Sequence, residues 1–205
     1  MLEENINEVK KLLKLKKLRK KEGSVSLKEA EYLCETAQRC NAKIIGETGF
    51  NRGFSTLAFL ESNPDVHVFS FDIGEYKYIS IVKQYIDEKF PSRHTLIKGD
   101  SKKTLMEFKE NNPDILFDLV FIDGGHDYKT AKADIINMKS LCRENSYVII
   151  DDLTPWMFWG IGPTMAWKWA IRCGIVKQQE MYKNGKPISK IRPFGSRIWA
   201  LGQYL

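Results

Sequence analysis

Apolar and polar positions along this chain repeat in two rhythms. Five short apolar runs end in a carboxylate or carry one just beyond: AKIIGE (42–47), HVFSFD (67–72), TLIKGD (95–100), DLVFID (118–123) and YVIIDD (147–152). Between them the apolar spacing turns helical, over Thr56 to Glu61, Tyr78 to Phe90, Lys102 to Glu110 and Thr130 to Leu141. Strands alternating with helices predict a parallel sheet covered on both faces. Near-continuous apolar strands such as LVFI and YVII fit that burial. Ahead of the first strand, Ser26 with Glu29 three residues later makes a capping-box pattern and starts a helix running to about Arg39. After the fifth run, Pro163 to Cys173 reads as a helix. Two further strands follow, near 175–182 and 196–201, joined by the turn Asn184-Gly185.

Length and composition narrow the picture without changing it. A chain of 205 residues is most simply one domain, and 43% hydrophobic with 28% charged residues is ordinary for a soluble globular protein. No apolar run reaches the length of a membrane span. Glu3, Glu4 and Glu8 precede any basic residue, which is unlike a secretory signal. Cys34, Cys40, Cys142 and Cys173 are scattered with no CxxC pair. They read as reduced thiols of a cytoplasmic protein rather than a zinc site or disulfide framework.

Charge is unevenly placed. Residues 10–21 hold eight Lys or Arg and no acid, and residues 168–197 hold eight more against Glu180 alone, within a net charge of +6. The remainder is therefore acidic. Residues 1–25 read as a basic N-terminal arm and 26–205 as a single domain. In the arm Leu2, Ile6, Val9 and Leu13 fall on one helical stripe, with Leu15 and Leu18 off it. Such a helix either packs by that stripe or offers its basic face to nucleic acid, anionic lipid or a partner.

In an open α/β sheet, ligands bind beyond the carboxyl ends of the strands. Those ends carry Glu47, Asp72, Asp100, Asp123, Asp151 and Asp152. Singly, each could start a turn or cap a helix. Six in register repel one another unless something positive is bound, so the crevice expects cations. The first loop reads Glu47-Thr-Gly49-Phe-Asn-Arg-Gly53-Phe-Ser55. It has neither the P-loop pattern nor GxGxxG, and a carboxylate at Glu47 would repel a pyrophosphate. A cationic group beside a nucleoside suits it better, and S-adenosylmethionine is such a ligand.

These residues together, with the GDS after the third strand, FIDGGHDY on the fourth and VIIDD on the fifth, resemble class I S-adenosylmethionine-dependent methyltransferases. The pattern is similar to metal-dependent small-molecule O-methyltransferases of the catechol, caffeoyl-CoA and macrocin (sugar) types, from about residue 26 to the C-terminus. The resemblance implies a Rossmann-like, doubly wound, mostly parallel seven-stranded sheet with an antiparallel C-terminal strand. It implies that Glu47, Gly49, Gly53 and Ser55 shape the methionine end of the cofactor site, that Asp72 takes the ribose, and that Asp100 and Ser101 lie against the adenine, with Asp123 at the cofactor's edge. It also implies that Asp123, Asp151 and Asp152 hold a divalent ion, Mg²⁺ by the hardness of their oxygens.

Methyl transfer to a hydroxyl needs an aligned oxygen and a removed proton. His126 sits three residues past Asp123, where catechol-type relatives place a catalytic Lys; a purely structural His126 would only fix the loop. In sugar-type relatives a carboxylate serves instead, which would give the role to Asp123. His67 and His94 lie away from the strand ends and read as structural. In PWMFWGIGPTMAWKW (155–169), Trp167 and Trp169 read as core, whereas Trp156 and Trp159 read as pocket wall or as a dimer surface of a homo-oligomer. The C-terminal basic segment points to an anionic small-molecule acceptor. Two other functions fit the same sequence: RNA methylation through the basic arm, and a catalytically silent cofactor-fold protein that binds a partner.

Overall fold

The computed structural model describes residues 1–18, 23–195 and 197–205. Arg19, Lys20 and Lys21 of the basic arm, and Ser196 at the start of the last expected strand, lie outside the described residues. Seven helices and eight strands alternate in the described chain: α1 (Leu2–Leu15), α2 (Leu27–Arg39), β1 (Ile44–Thr48), α3 (Phe54–Ser62), β2 (His67–Asp72), α4 (Tyr78–Lys89), β3 (His94–Lys98), α5 (Ser101–Asn111), β4 (Phe117–Ile122), α6 (Tyr128–Ser140), β5 (Cys142–Ile150), α7 (Ile161–Arg172), β6 (Val176–Lys183), β7 (Lys186–Pro187) and β8 (Ile198–Tyr204). They form one sheet in the order β3-β2-β1-β4-β5-β8-β6-β7.

The first five strands are parallel, and β8 runs antiparallel between β5 and β6. This is the Rossmann-like α/β sheet expected, with one difference at its edge. The Asn184-Gly185 turn joins β6 to the two-residue β7 rather than to β8. Pro187 ends that pairing early because it lacks an N–H to extend the ladder. Residues 188–195 then return to β8 as a flap at the site end of the sheet. Helix α7 also starts two residues before Pro163, which occupies the first turn where its missing N–H costs nothing.

Alternation in the central strand explains the two cores. Leu119 and Phe121 of β4 face a cluster containing Ile45, Leu57, Phe59 and Val82. Val120 and Ile122 face a second cluster containing Leu105, Ile135, Val148 and Trp167. Truncating Phe121, which is fully buried, would cost about 3–5 kcal/mol by the usual large-to-small penalty. Helix α1 closes the first cluster: Ile6, Val9 and Leu13 are buried there, and Leu15 is exposed, as the stripe requires. Glu8 accepts from Tyr85 Oη at 2.5 Å and Lys89 Nζ at 3.0 Å, and Asn5 donates to Glu61. No helix among the described residues is long and apolar enough to cross a membrane.

Candidate functional site

The glycine loop after β1 is folded against the end of β4. Gly49 has φ +89°, and a Cβ there would lie 2.0 Å from the Asp123 carbonyl oxygen, so only glycine fits. Gly53, at φ +66°, precedes α3 in the left-handed region. Asp72 at the end of β2 fixes the loop. Its Oδ2 accepts from the Phe50 and Asn51 amides at 2.8 and 2.9 Å, and its Oδ1 from the Gly74 amide at 2.7 Å. Asn51 is tied in turn to Tyr78 and to the Gly23 carbonyl. Ser55 is buried in the first turn of α3.

Glu47 is wholly buried beneath this loop. It accepts from Thr56 and, at 2.6 Å, from Ser70, which also bonds His94 Nε2 at 2.8 Å. Burial pushes the Glu47 carboxyl up to about 7, against the opposing effect of these donors, while Oε2 has no partner. Burial likewise pushes His94 down to about 3, so the ring is neutral in the fold. Sequence reasoning anticipated the position of Glu47 at the strand end but not its depth.

Asp100 caps α5, accepting from the Lys102 amide, and Lys102 Nζ lies 3.1 Å from the same carboxylate. Ser101 Oγ donates to Asp134 Oδ1 at 2.7 Å. Asp134, on α6, is fully buried and burial raises it to about 6. Its other oxygen and Thr48 Oγ1 both lie 3.0 Å from where a Cβ on Gly124 would stand. The ends of β1, β3 and β4 thus meet at one buried acid that the sequence reading did not single out. Its signal was there: an aspartate on the apolar stripe Ala131, Asp134, Ile135, Met138.

The ends of β4 and β5 carry the most concentrated charge. Donor atoms of Asp123, His126 and Asp152 lie within 4.8 Å of one another, and His126 Nε2 is 3.0 Å from Asp152 Oδ2. Asp152 holds a left-handed backbone, φ +59°, uncommon for a non-glycine residue and of the kind stored at functional sites. Asp151 points instead into the protein, against Glu29 of α2, and its Oδ1 is buried with no partner. Glu29 is itself fully buried, held by the Ser26 capping box and 3.5 Å from Arg197 Nη1, which donates to the Ser24 carbonyl. Burial raises both Asp123 and Asp151 well above the carboxylate range, and their neighbours Asp152 and Glu29 add to it. One arginine against four carboxyls leaves this pocket short of positive charge. The Asp123 and Asp152 carboxylates, with the orphaned Asp151 oxygen behind them, fit a divalent cation, and the His126 imidazole stands beside them. Glu29 was legible only as a capping residue, and its place beside the site, like that of Arg197, was invisible in the sequence because these contacts span more than 100 residues.

The rim comes from the β5–α7 loop and the flap. A Cβ on Gly162 would lie 2.2 Å from the His126 carbonyl, so α7 seats directly on the His126 loop. Trp156 Nε1 donates to the Gly195 carbonyl at 2.8 Å, tying the two rim segments together. Lys183 Nζ donates to the carbonyls of Arg192, Pro193 and Phe194. Trp167 is buried, Trp169 packs against the second core cluster, and Trp156 and Trp159 are half-buried.

Residues 47–153, just over half of the chain, match the family described as a methyltransferase domain. The chain matches none of the curated proteins. Among solved structures it is similar to an O-methyltransferase from Bacillus cereus in complex with SAH, at 18% identity and TM-score 0.76, covering 98% of this chain and 90% of that one. It is also similar to the O-methyltransferase TomG from Streptomyces achromogenes, in complex with SAM, at 14% identity and TM-score 0.78, covering 98% and 89%. At these identities the likeness establishes a shared fold along nearly the whole length.

Proposed function

We propose, from the premise that this chain belongs to the methyltransferase-domain family, that it transfers the methyl group of S-adenosylmethionine to a hydroxyl of a small molecule with a divalent cation bound. The observation that carries this reading is the convergence of Asp123, His126 and Asp152 beside the glycine loop at the strand ends. Two similar folds bind SAH or SAM in their solved structures. Four unpaired cysteines suit a reducing, cytoplasmic setting.

The geometry supports a role for each residue. The loop 49–53, the first turn of α3 and Ser55 hold the methionine end, with Asp72 keeping the loop in shape from below. Asp100 and Ser101 flank the nucleoside, backed by Asp134. Asp123 and Asp152, with Asp151 behind them, hold the cation, which when bound lowers the acceptor hydroxyl's pKa and orients it. His126 takes the hydroxyl proton. A proton on its Nε2 is shared with Asp152 Oδ2 at 3.0 Å, which stabilises the imidazolium as the methyl carbon leaves sulfur for the acceptor oxygen. Water exclusion falls to the β5–α7 loop and the flap.

Calorimetric titration with S-adenosylhomocysteine, with and without Mg²⁺, tests the reading. Binding is expected, and turnover of S-adenosylmethionine with hydroxylated acceptors should stop on adding a chelator and return with Mg²⁺. No heat with the donor product overturns the transferase reading; turnover indifferent to chelator overturns the cation.

A further inference from the structure

Helix α1 changes sign along its solvent side. Its first half exposes Glu3, Glu4 and Glu8; from residue 10 on it exposes Lys10, Lys11 and Lys14, followed at once by exposed Lys16 and Lys17. The helix dipole accounts for a base in the last turn, which Lys14 supplies, but not for five lysines in eight positions. The way the helix ends also keeps charge at the expense of stability. The Leu18 amide donates to the Leu13 carbonyl and the Lys17 amide to the Lys14 carbonyl, both at 3.0 Å, an ending in which glycine is the usual residue at position 17. Lys17 stands there with φ +54°, a left-handed backbone that a side chain makes costly. Leu18 then folds back on the first core cluster, so the lysines are carried on a packed element and not on a loose tail.

The chemistry of this face selects among anionic surfaces. Residues 10–21 hold seven lysines against one arginine and no aromatic ring. Nucleic-acid surfaces draw on the arginine fork for phosphates and on aromatic rings for bases. Here Leu15, 72% exposed, stands instead beside Lys11, Lys14 and Lys16. Lysines on long flexible stems around an exposed leucine suit a diffuse negative potential above an apolar layer, which is an anionic bilayer. The ammonium groups stay among the headgroups while the leucine enters the interface. Lys10 Nζ lies 5.8 Å over the ring of Phe54, the first residue of α3 after the glycine loop, and beyond the arm the Gly23 carbonyl accepts from Asn51 of that loop at 2.6 Å. The basic half of α1 is therefore at the glycine-loop end of the molecule.

We propose that the C-terminal half of α1, Lys10 to Lys17 with Leu15 among them, is a docking surface for an anionic lipid bilayer. The attachment is reversible, carried by charge with one shallow apolar contact, and the buried stripe of α1 stays on α3 and α4 throughout. Docked this way, the end of the molecule that carries the glycine loop lies nearest the lipid. The surface works independently of the transfer chemistry.

Co-sedimentation of the full chain with vesicles tests this, comparing pure phosphatidylcholine with equal parts phosphatidylcholine and phosphatidylserine. Binding is expected to the anionic vesicles alone, and it should fall away at high salt. Lys11→Gln with Lys14→Gln and Lys16→Gln should weaken it by roughly 100-fold, near 5-fold per base. Lys109→Gln with Lys168→Gln and Lys177→Gln removes the same charge from exposed positions elsewhere and should weaken it by no more than about 5-fold. Leu15→Gln should weaken it by at least about 3-fold. All three variants should melt as the wild type does, because every altered side chain is exposed. Equal sedimentation with neutral and anionic vesicles, including none with either, overturns the proposal. So do a control variant that loses as much as the α1 variant and a Leu15→Gln protein that binds as tightly as the wild type. A single-stranded RNA that strips the protein from the vesicles at matched phosphate concentration assigns the face to nucleic acid, and overturns the proposal as well.

Discussion

At the scale of single residues, the buried trio Glu47, Ser70 and His94 makes the sharpest statement, because its two titratable members are shifted in opposite directions. Glu47 is raised from 4.5 to about 7, so its contribution is fully present below 4.5 and is lost as pH rises through 7. His94 is lowered from 6.5 to about 3, so its contribution is present above 6.5 and is lost as pH falls toward 3. Between those limits the folded protein keeps a proton on Glu47 and the unfolded chain keeps one on His94, so the two slopes cancel. A plateau in thermal stability is therefore expected from this pair between about pH 4.5 and 6.5. Glu47→Gln should unmask the His94 slope, with the melting temperature rising as pH goes up from 3 to 6.5. His94→Gln should unmask the opposite slope, falling from 4.5 to 7. Melting curves against pH that shift in parallel for all three proteins would falsify the linkage. For His126, proposed as the base, His126→Ala should lower kcat by roughly 10²–10⁴-fold with little change in S-adenosylhomocysteine affinity, measured by steady-state kinetics alongside calorimetry.

At the scale of elements, the glycine loop is a strict backbone constraint. Gly49→Ala adds a methyl 2.0 Å from the Asp123 carbonyl at φ +89°, a cost of at least about 2 kcal/mol. It should lower the denaturation midpoint and abolish cofactor binding together, because the same carbonyl positions the β4 end. Gly23→Ala, with nothing within 4 Å, should change stability by less than about 0.5 kcal/mol. Both are read by denaturant unfolding. This loop also shows what a sequence displays. Strands β1 to β5 were legible because a buried parallel strand is an apolar run and its acid marks the exit, and α2 was legible from its capping box. The limits of α3 were not: Phe54 and Ser62 lie outside the expected Thr56 to Glu61 because that helix is buried almost all round and lacks a polar face to bound it. The hairpin partner of β6 was missed because a two-residue strand has no periodicity. Within the site, Asp123, Asp151 and Asp152 stood out as acids at strand ends and His126 through the family resemblance, whereas the packing of Asp151 against Glu29 depends on a helix 120 residues earlier.

At the scale of the whole molecule, α1 decides whether the basic arm is a tail or part of the enzyme's frame. Its stripe is buried on α3 and α4, and α3 follows directly on its N-cap Gly53, so the helix braces the far side of the element whose first turn is proposed to hold the cofactor. Val9 and Leu13 are 0 and 3% exposed, and Leu13→Ala should cost about 2–5 kcal/mol. Lys11 and Lys14 face solvent, and Lys11→Gln with Lys14→Gln should shift stability by no more than about 0.5 kcal/mol. Deleting residues 1–17 exposes the apolar surface of α3 and α4 that Ile6, Val9 and Leu13 cover, and removes the Glu8 links to Tyr85 and Lys89. The truncated protein is therefore expected to melt at lower temperature and to bind S-adenosylhomocysteine more weakly than the double lysine variant, which should match the wild type in both. A truncation that keeps full stability and affinity would show that the helix is an appendage.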